Sequence, residues 1–133
     1  MTSTVSYSGE LRTSATHVKS GNSIITDAPT DNHGKGENFS PTDLVATALA
    51  SCMITVMGIK ANQKGLDIEG ATSEITKIMA SNPRRIAEVH VKIVMPKKEY
   101  TKEEKKLLEH TARTCPVAQS VHPDMVQKVE FVW

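Results

Sequence analysis

Between Leu44 and Ile59 sixteen consecutive residues carry no charge, and this run constrains the fold more than any other feature of the chain. Ser40 is a good N-cap, Pro41 suits the first helical position, and Asp43, three residues after Ser40, completes a capping-box pattern. From there the residues are apolar nearly all round until Lys60, and Lys64-Gly65 supplies the stop. A bilayer-spanning helix needs about 20 mainly apolar residues. This run is shorter and contains Thr47, Ser51, Cys52 and Thr55, so it reads as a buried core helix with no membrane partner. A helix apolar on every side is buried on every side. So small a chain hardly covers such a helix alone, and the expectation is a homodimer that shares its core.

The segments around this helix are shorter. Residues 2–26 are rich in Ser, Thr, Val and Ile with turn signals at Ser8-Gly9 and Ser20-Gly21-Asn22, which predicts two or three short strands in a meander. Residues 27–39 hold three acidic residues, two Asn, two Gly and a Pro, the composition of a loop, and a loop of that length is often functional. Residues 68–80 and 85–95 read as paired strands joined by Ser81-Asn82-Pro83; Ala87, Val89, Val91, Ile93 and Met95 form the apolar face of the second. A second helix opens at Thr101 with Glu104 as capping partner and breaks at Cys115-Pro116. Pro116 opens a short helix to about Val121, and a last strand runs from Gln127 to Val132. The order predicts an α+β fold. With 133 residues it fits a single domain over 1–133, large enough to be stable without disulfide or metal.

Charge narrows the function class. Sixteen basic and 15 acidic residues leave a net +1, unlike the strongly basic face of a nucleic-acid binder. The aromatics number five, Tyr7, Phe39, Tyr100, Phe131 and Trp133, too few for a base-stacking platform. The first residues have neither the basic nor the apolar region of a secretory signal, so the expected location is cytoplasmic. There thiols are kept reduced, and a disulfide that forms is more often catalytic or redox-sensing than structural.

That makes the two cysteines the residues to explain. Cys52 lies deep in the apolar helix, where a free cysteine usually serves as a small core hydrophobe and where a thiolate is disfavoured unless a cation is near. Cys115 sits at the N-cap of the helix begun by Pro116, where free backbone N–H groups favour an anion, with Arg113 and His122 as possible cationic neighbours. Together they permit a peroxide-reducing cycle, because a second cysteine converts a sulfenic acid to a disulfide before over-oxidation. The arginines are Arg12, Arg84, Arg85 and Arg113. No histidine has zinc-ligand spacing, so no metal is expected; Asp27, Asp31, His33 and Glu37 are better read as a solvated loop than as a cation site. There is no phosphate loop, nucleophile elbow or dinucleotide fingerprint, and no cofactor is implied.

Two segments, FSPTDLVATALASCMITVMGIKA (Phe39–Ala61) and ARTCPVAQSVHPD (Ala112–Asp124), resemble the cysteine motifs of the OsmC/Ohr superfamily, the osmotically inducible and organic-hydroperoxide-resistance proteins. There the first cysteine follows an Asn/Ser-Pro-x-Asp/Glu-Leu helix start and the second lies in a Cys-Pro-Val/Tyr-Ala/Ser segment. The resemblance implies an intertwined α+β homodimer with long central helices wrapped by antiparallel sheets. It also implies a thiol peroxidase with Cys52 as peroxidatic thiolate and Cys115 as resolving thiol, a small hydroperoxide as substrate and a dithiol, lipoyl-type or other, as reductant. The family's peroxidases place a glutamate ten residues before the first cysteine to fix a catalytic arginine. Here that position is Thr42, with Asp43 beside it. Arg12, the one early arginine, takes the arginine's role, and Glu37 or Asp43 stands for the carboxylate. On these departures the chain resembles the OsmC-like branch most, and the alternative is an OsmC-like binder of small molecules or lipids with little or no turnover.

Overall fold

Capping and patterning set the element boundaries in the computed structural model, which describes residues 1–133. Strands β1 (Ser3–Gly9), β2 (Arg12–His17) and β3 (Ser23–Asp27) are followed by the helix α1 (Pro41–Gln63). Then come β4 (Thr72–Ala80), β5 (Arg85–Val94), α2 (Lys102–Arg113), α3 (Pro116–Ser120) and β6 (Val126–Val132). The chain is mixed α+β, as the element order predicts. Loop 27–39 is more ordered than its composition implies, with one 3-10 turn at Thr30–Asn32.

The expected caps are present. The Ser40 amide donates to Asp43 Oδ2 at 2.9 Å, and the Asp43 amide donates back to Ser40 Oγ at 3.1 Å. Thr101 and Glu104 close the same box on α2, at 2.8 and 3.2 Å. Each box satisfies backbone donors that the first turn of a helix leaves open.

The residues group into two compact units, Met1–Val45 and Ala46–Trp133. In the first, β1, β2 and β3 form an antiparallel sheet in that order. The β1–β2 turn places Glu10 and Leu11 at positive φ, 53° and 61°, a conformation that costs such residues about 1–2 kcal/mol each. Lys35 ion-pairs with Glu10 at 2.7 Å, and the Leu11 carbonyl accepts from the Ala28 amide at 3.0 Å. Gly34 closes the loop: a Cβ there would fall 1.7 Å from the Ala28 carbonyl oxygen.

In the second unit β5 is the central strand, antiparallel to β4 but parallel to β6. The expectation of wholly antiparallel sheets fails at this pair. The chain between β5 and β6 contains α2 and α3, the kind of crossover a parallel neighbour requires. Val89, Val91 and Ile93 face inward with at most 1% exposure, the predicted period-two face. They join Leu108 and Ala112 of α2 and a stripe of α1 made of Ala46, Leu49, Ala50, Met53, Met57 and Ala61.

By length and hydropathy α1 could cross a bilayer, and only about a third of its most apolar stretch is buried. The expectation of burial all round is thus not met within one chain, because one sheet and two shorter helices cover a single face. Val45 and Ile59 remain exposed, and Ser51 and Thr55 lie on the same uncovered side.

Candidate functional site

The chemistry-bearing side chains form one cluster in each unit. In the second unit the sharp stop of α2 decides the geometry. The Cys115 amide donates to the Ala112 carbonyl at 3.2 Å, and Pro116 then starts α3 with Cys115 as its N-cap. The Cys115 Sγ accepts from the Ala118 amide at 3.4 Å. Its side chain is 1% exposed and lies beside Cys52 of α1, which is half-buried next to the Met53 stripe. The fold therefore joins two cysteines far apart in the sequence. Both are free thiols in this structure.

Cys115 departs from the expectation of an activated N-cap. Burial pushes its thiol above the ordinary value of 9.0; the neighbouring Cys52 adds to this, while the amides of Ala118 and Val117 oppose it. Desolvation outweighs the few N–H groups of so short a helix. Arg113 and His122 take no part. Arg113 stacks on Phe131 and donates to the Val129 carbonyl at 3.0 Å, and His122 is exposed and accepts from the Asp124 amide at 3.1 Å. Burial thus favours the neutral thiol of Cys115.

In the first unit Arg12 stands opposite Asp27 across the β2–β3 pair. Its Nε donates to Asp27 Oδ1 at 2.6 Å and its Nη2 to Asp27 Oδ2 at 3.0 Å. Nη2 also donates to Glu37 Oε2 at 2.8 Å, from the loop. Asn38 completes the cluster by donating its amide N–H and its Nδ2 to Asp27 Oδ2, both at 3.0 Å. Asp27 is 1% exposed, yet the Arg12 guanidinium, with Asn38 behind it, holds its carboxyl well below the usual carboxylate range against the effect of burial. Arg12 is in turn pushed above its ordinary value, first by Asp27 and then by Glu37.

The sequence model for the family described as OsmC-like protein matches residues 34–130. The chain belongs to the OsmC-like family. A solved protein from Psychrobacter arcticus 273-4, described provisionally as an osmotic stress induced and detoxification response protein, is 57% identical. The alignment covers 98% of this chain and 95% of that one, with a TM-score of 0.94. The same fold appears in an organic hydroperoxide resistance protein OsmC from Legionella pneumophila, at 15% identity and a TM-score of 0.78, covering 100% and 98% of the two chains. It appears again in an organic hydroperoxide resistance protein from Elizabethkingia anophelis with thiocyanate bound, at 14% identity and a TM-score of 0.77, covering 99% and 96%. No curated protein matches the chain.

Membership in this family accords with the two cysteine motifs. Of the residues singled out from the sequence, Cys52 and Cys115 meet in one cluster, and Arg12 and Glu37 meet in the other. Asp43 lies in the capping box of α1, while the carboxylates on Arg12 are Asp27 and Glu37. Asp27 is the residue the sequence reading left among solvated loop positions. Strand register is what places it: counting outward from the His17–Asn22 pair that closes the turn sets residue 12 against residue 27. No three His, Cys, Asp or Glu side chains are grouped to hold a metal ion. Asp27 and Glu37 are turned to Arg12 instead.

Proposed function

We propose that the chain is a thiol-dependent peroxidase that reduces organic hydroperoxides, with hydrogen peroxide as a second candidate substrate, in the cytoplasm. The observation that carries this reading is that the fold sets Cys52 beside a buried Cys115. Support of a coarser kind comes from the hydroperoxide resistance named in relatives that share the fold.

The cycle has three balanced steps. The Cys52 thiolate attacks the distal peroxide oxygen, the O–O bond breaks, and the alkoxide leaves as ROH after taking a proton, which gives Cys52–SOH. Cys115 then attacks the Cys52 sulfur, releasing water and forming the Cys52–Cys115 disulfide. A dithiol reductant of the lipoyl type reduces that disulfide by exchange and leaves oxidised itself. In this reading Arg12 is the catalytic arginine, and Glu37 steadies it. Cys115 is the resolving thiol because the fold buries it beside Cys52, and its proton leaves with the Cys52 hydroxyl as water when the disulfide forms. The homodimer is part of the same proposal, supported by the uncovered apolar side of α1.

Stopped-flow mixing of reduced protein with cumene hydroperoxide tests the assignment. Thiol loss at least 100-fold faster than for free cysteine is expected. A rate equal to that of free cysteine, with a small apolar molecule carried through purification, would favour the binding-protein alternative.

A further inference from the structure

We propose that Asp27 is the positioning residue for Arg12, a buried carboxylate built into the β2–β3 pairing that fixes the guanidinium in one orientation. Its consequence at Cys52 rests on the peroxidase reading above. The arrangement itself stands on the first unit alone.

Asp27 accepts four hydrogen bonds: Oδ1 takes one, from Arg12 Nε, and Oδ2 takes three, from Arg12 Nη2 and from the amide N–H and Nδ2 of Asn38. The backbone on both sides is pinned as well. The Asp27 amide donates to the Phe39 carbonyl at 3.1 Å, and the Ala28 amide donates to the Leu11 carbonyl at 3.0 Å. Adjacent cross-strand hydroxyl pairs, Thr13 with Thr26 and Thr16 with Ser23, hold the register that sets Arg12 against Asp27. The left-handed Glu10 and Leu11 immediately before Arg12 fit the same picture, since backbone strain persists where surrounding contacts over-determine it.

Removing one partner of a buried, hydrogen-bonded charge leaves the other without compensation. Arg12 is therefore held at its Nε and Nη2 atoms, and Nη1 lies outside these bonds. Glu37 is a different kind of partner. Its side chain is 65% exposed and makes one bond to the same Nη2; exposed pairs of this sort are weak and screened by salt.

The variant that tests this is Asp27→Asn, which keeps shape and removes charge, read in two ways. One is the NMR signal of the Arg12 Nε–H, assigned with Arg12→Lys. The other is the rate of Cys52 oxidation by cumene hydroperoxide in reduced protein. Asp27→Asn is expected to lose the Arg12 signal. Hydroperoxide-driven oxidation of Cys52 should slow about tenfold or more, the scale of a misplaced catalytic group. Combined with Arg12→Met it should be no slower than Arg12→Met alone, as expected for residues acting as one unit. Asn38→Ala, which removes one bond to Asp27 and leaves the charge, should broaden the signal without losing it, and serves if Asp27→Asn does not fold. An unchanged Arg12 signal in these variants overturns the proposal. If wild-type Cys52 reacts with hydroperoxide no faster than free cysteine, the peroxidase reading falls, and the Arg12 signal still decides whether Asp27 holds the guanidinium.

Discussion

Cys115 and Asp27 are equally buried, at 1% exposure each, and their ionisation is driven in opposite directions. Cys115 sits at the meeting of two helices, among apolar side chains, with one amide at 3.4 Å. Desolvation wins there, and the neutral thiol is favoured. Asp27 sits between a strand and a loop with four donors on its carboxylate, and hydrogen bonding wins. Burial alone therefore says nothing about charge state; the supply of donors decides it. The helical unit favours a neutral thiol and the strand-loop unit an ionised carboxylate.

The largest expected effect lies in the helical cluster. Cys52→Ser should abolish hydroperoxide reduction, whereas Cys115→Ser should keep the first oxidation step and accumulate a sulfenic acid trapped by dimedone. Equal loss in both variants would erase the division of roles. Next comes stability. Met53→Ala empties a fully buried site in the α1 stripe and should cost about 2–5 kcal/mol in urea unfolding. Glu37→Gln should leave the urea midpoint unchanged, and a comparable loss there would mean that the loop carries as much stability as the core.

The pH profile separates the clusters more finely. Asp27 has its folded value lowered, so its contribution is full above the ordinary 3.8 and is lost as pH falls below it. Wild type should lose stability from about pH 4 downward, and Asp27→Asn should flatten that limb. Cys115 has its folded value raised above 9.0, so its contribution is present below pH 9.0 and is lost as pH rises through the folded value. Cys115→Ala should flatten the alkaline limb. Smallest of all, Glu37→Gln should slow peroxide reduction about two- to threefold at low salt and less at high salt, as befits an exposed pair.

The helices and their caps were legible because Ser40, Asp43, Thr101 and Glu104 act over three residues, a distance the sequence displays directly. The inward face of β5 was legible for the same reason. The parallel β5–β6 pairing was not, because no local pattern records which neighbour a strand returns to. Cys52 and Cys115 were visible as a pair through their motifs, but their contact depends on how α1 packs against the α2–α3 corner. Arg12 and Glu37 were picked out, while Asp27 was read as loop because its acidic neighbours Asp31 and Glu37 made it look solvated. What distinguishes it is strand register, and register becomes decisive only when Arg12 is placed opposite. The reversed shift at Cys115 was hidden as well, since an N-cap position states the donors present and not the apolar surroundings.

The central claim is that Cys52 and Cys115 form a working thiol pair, and one measurement reaches it directly. Reduced protein is treated with a single equivalent of cumene hydroperoxide, quenched with an alkylating agent and peptide-mapped by mass spectrometry. The account predicts a Cys52–Cys115 disulfide within one chain, formed as the peroxide is consumed. Recovery of both cysteines as alkylated thiols, or of Cys52 as a sulfinic acid with Cys115 still free, would contradict it.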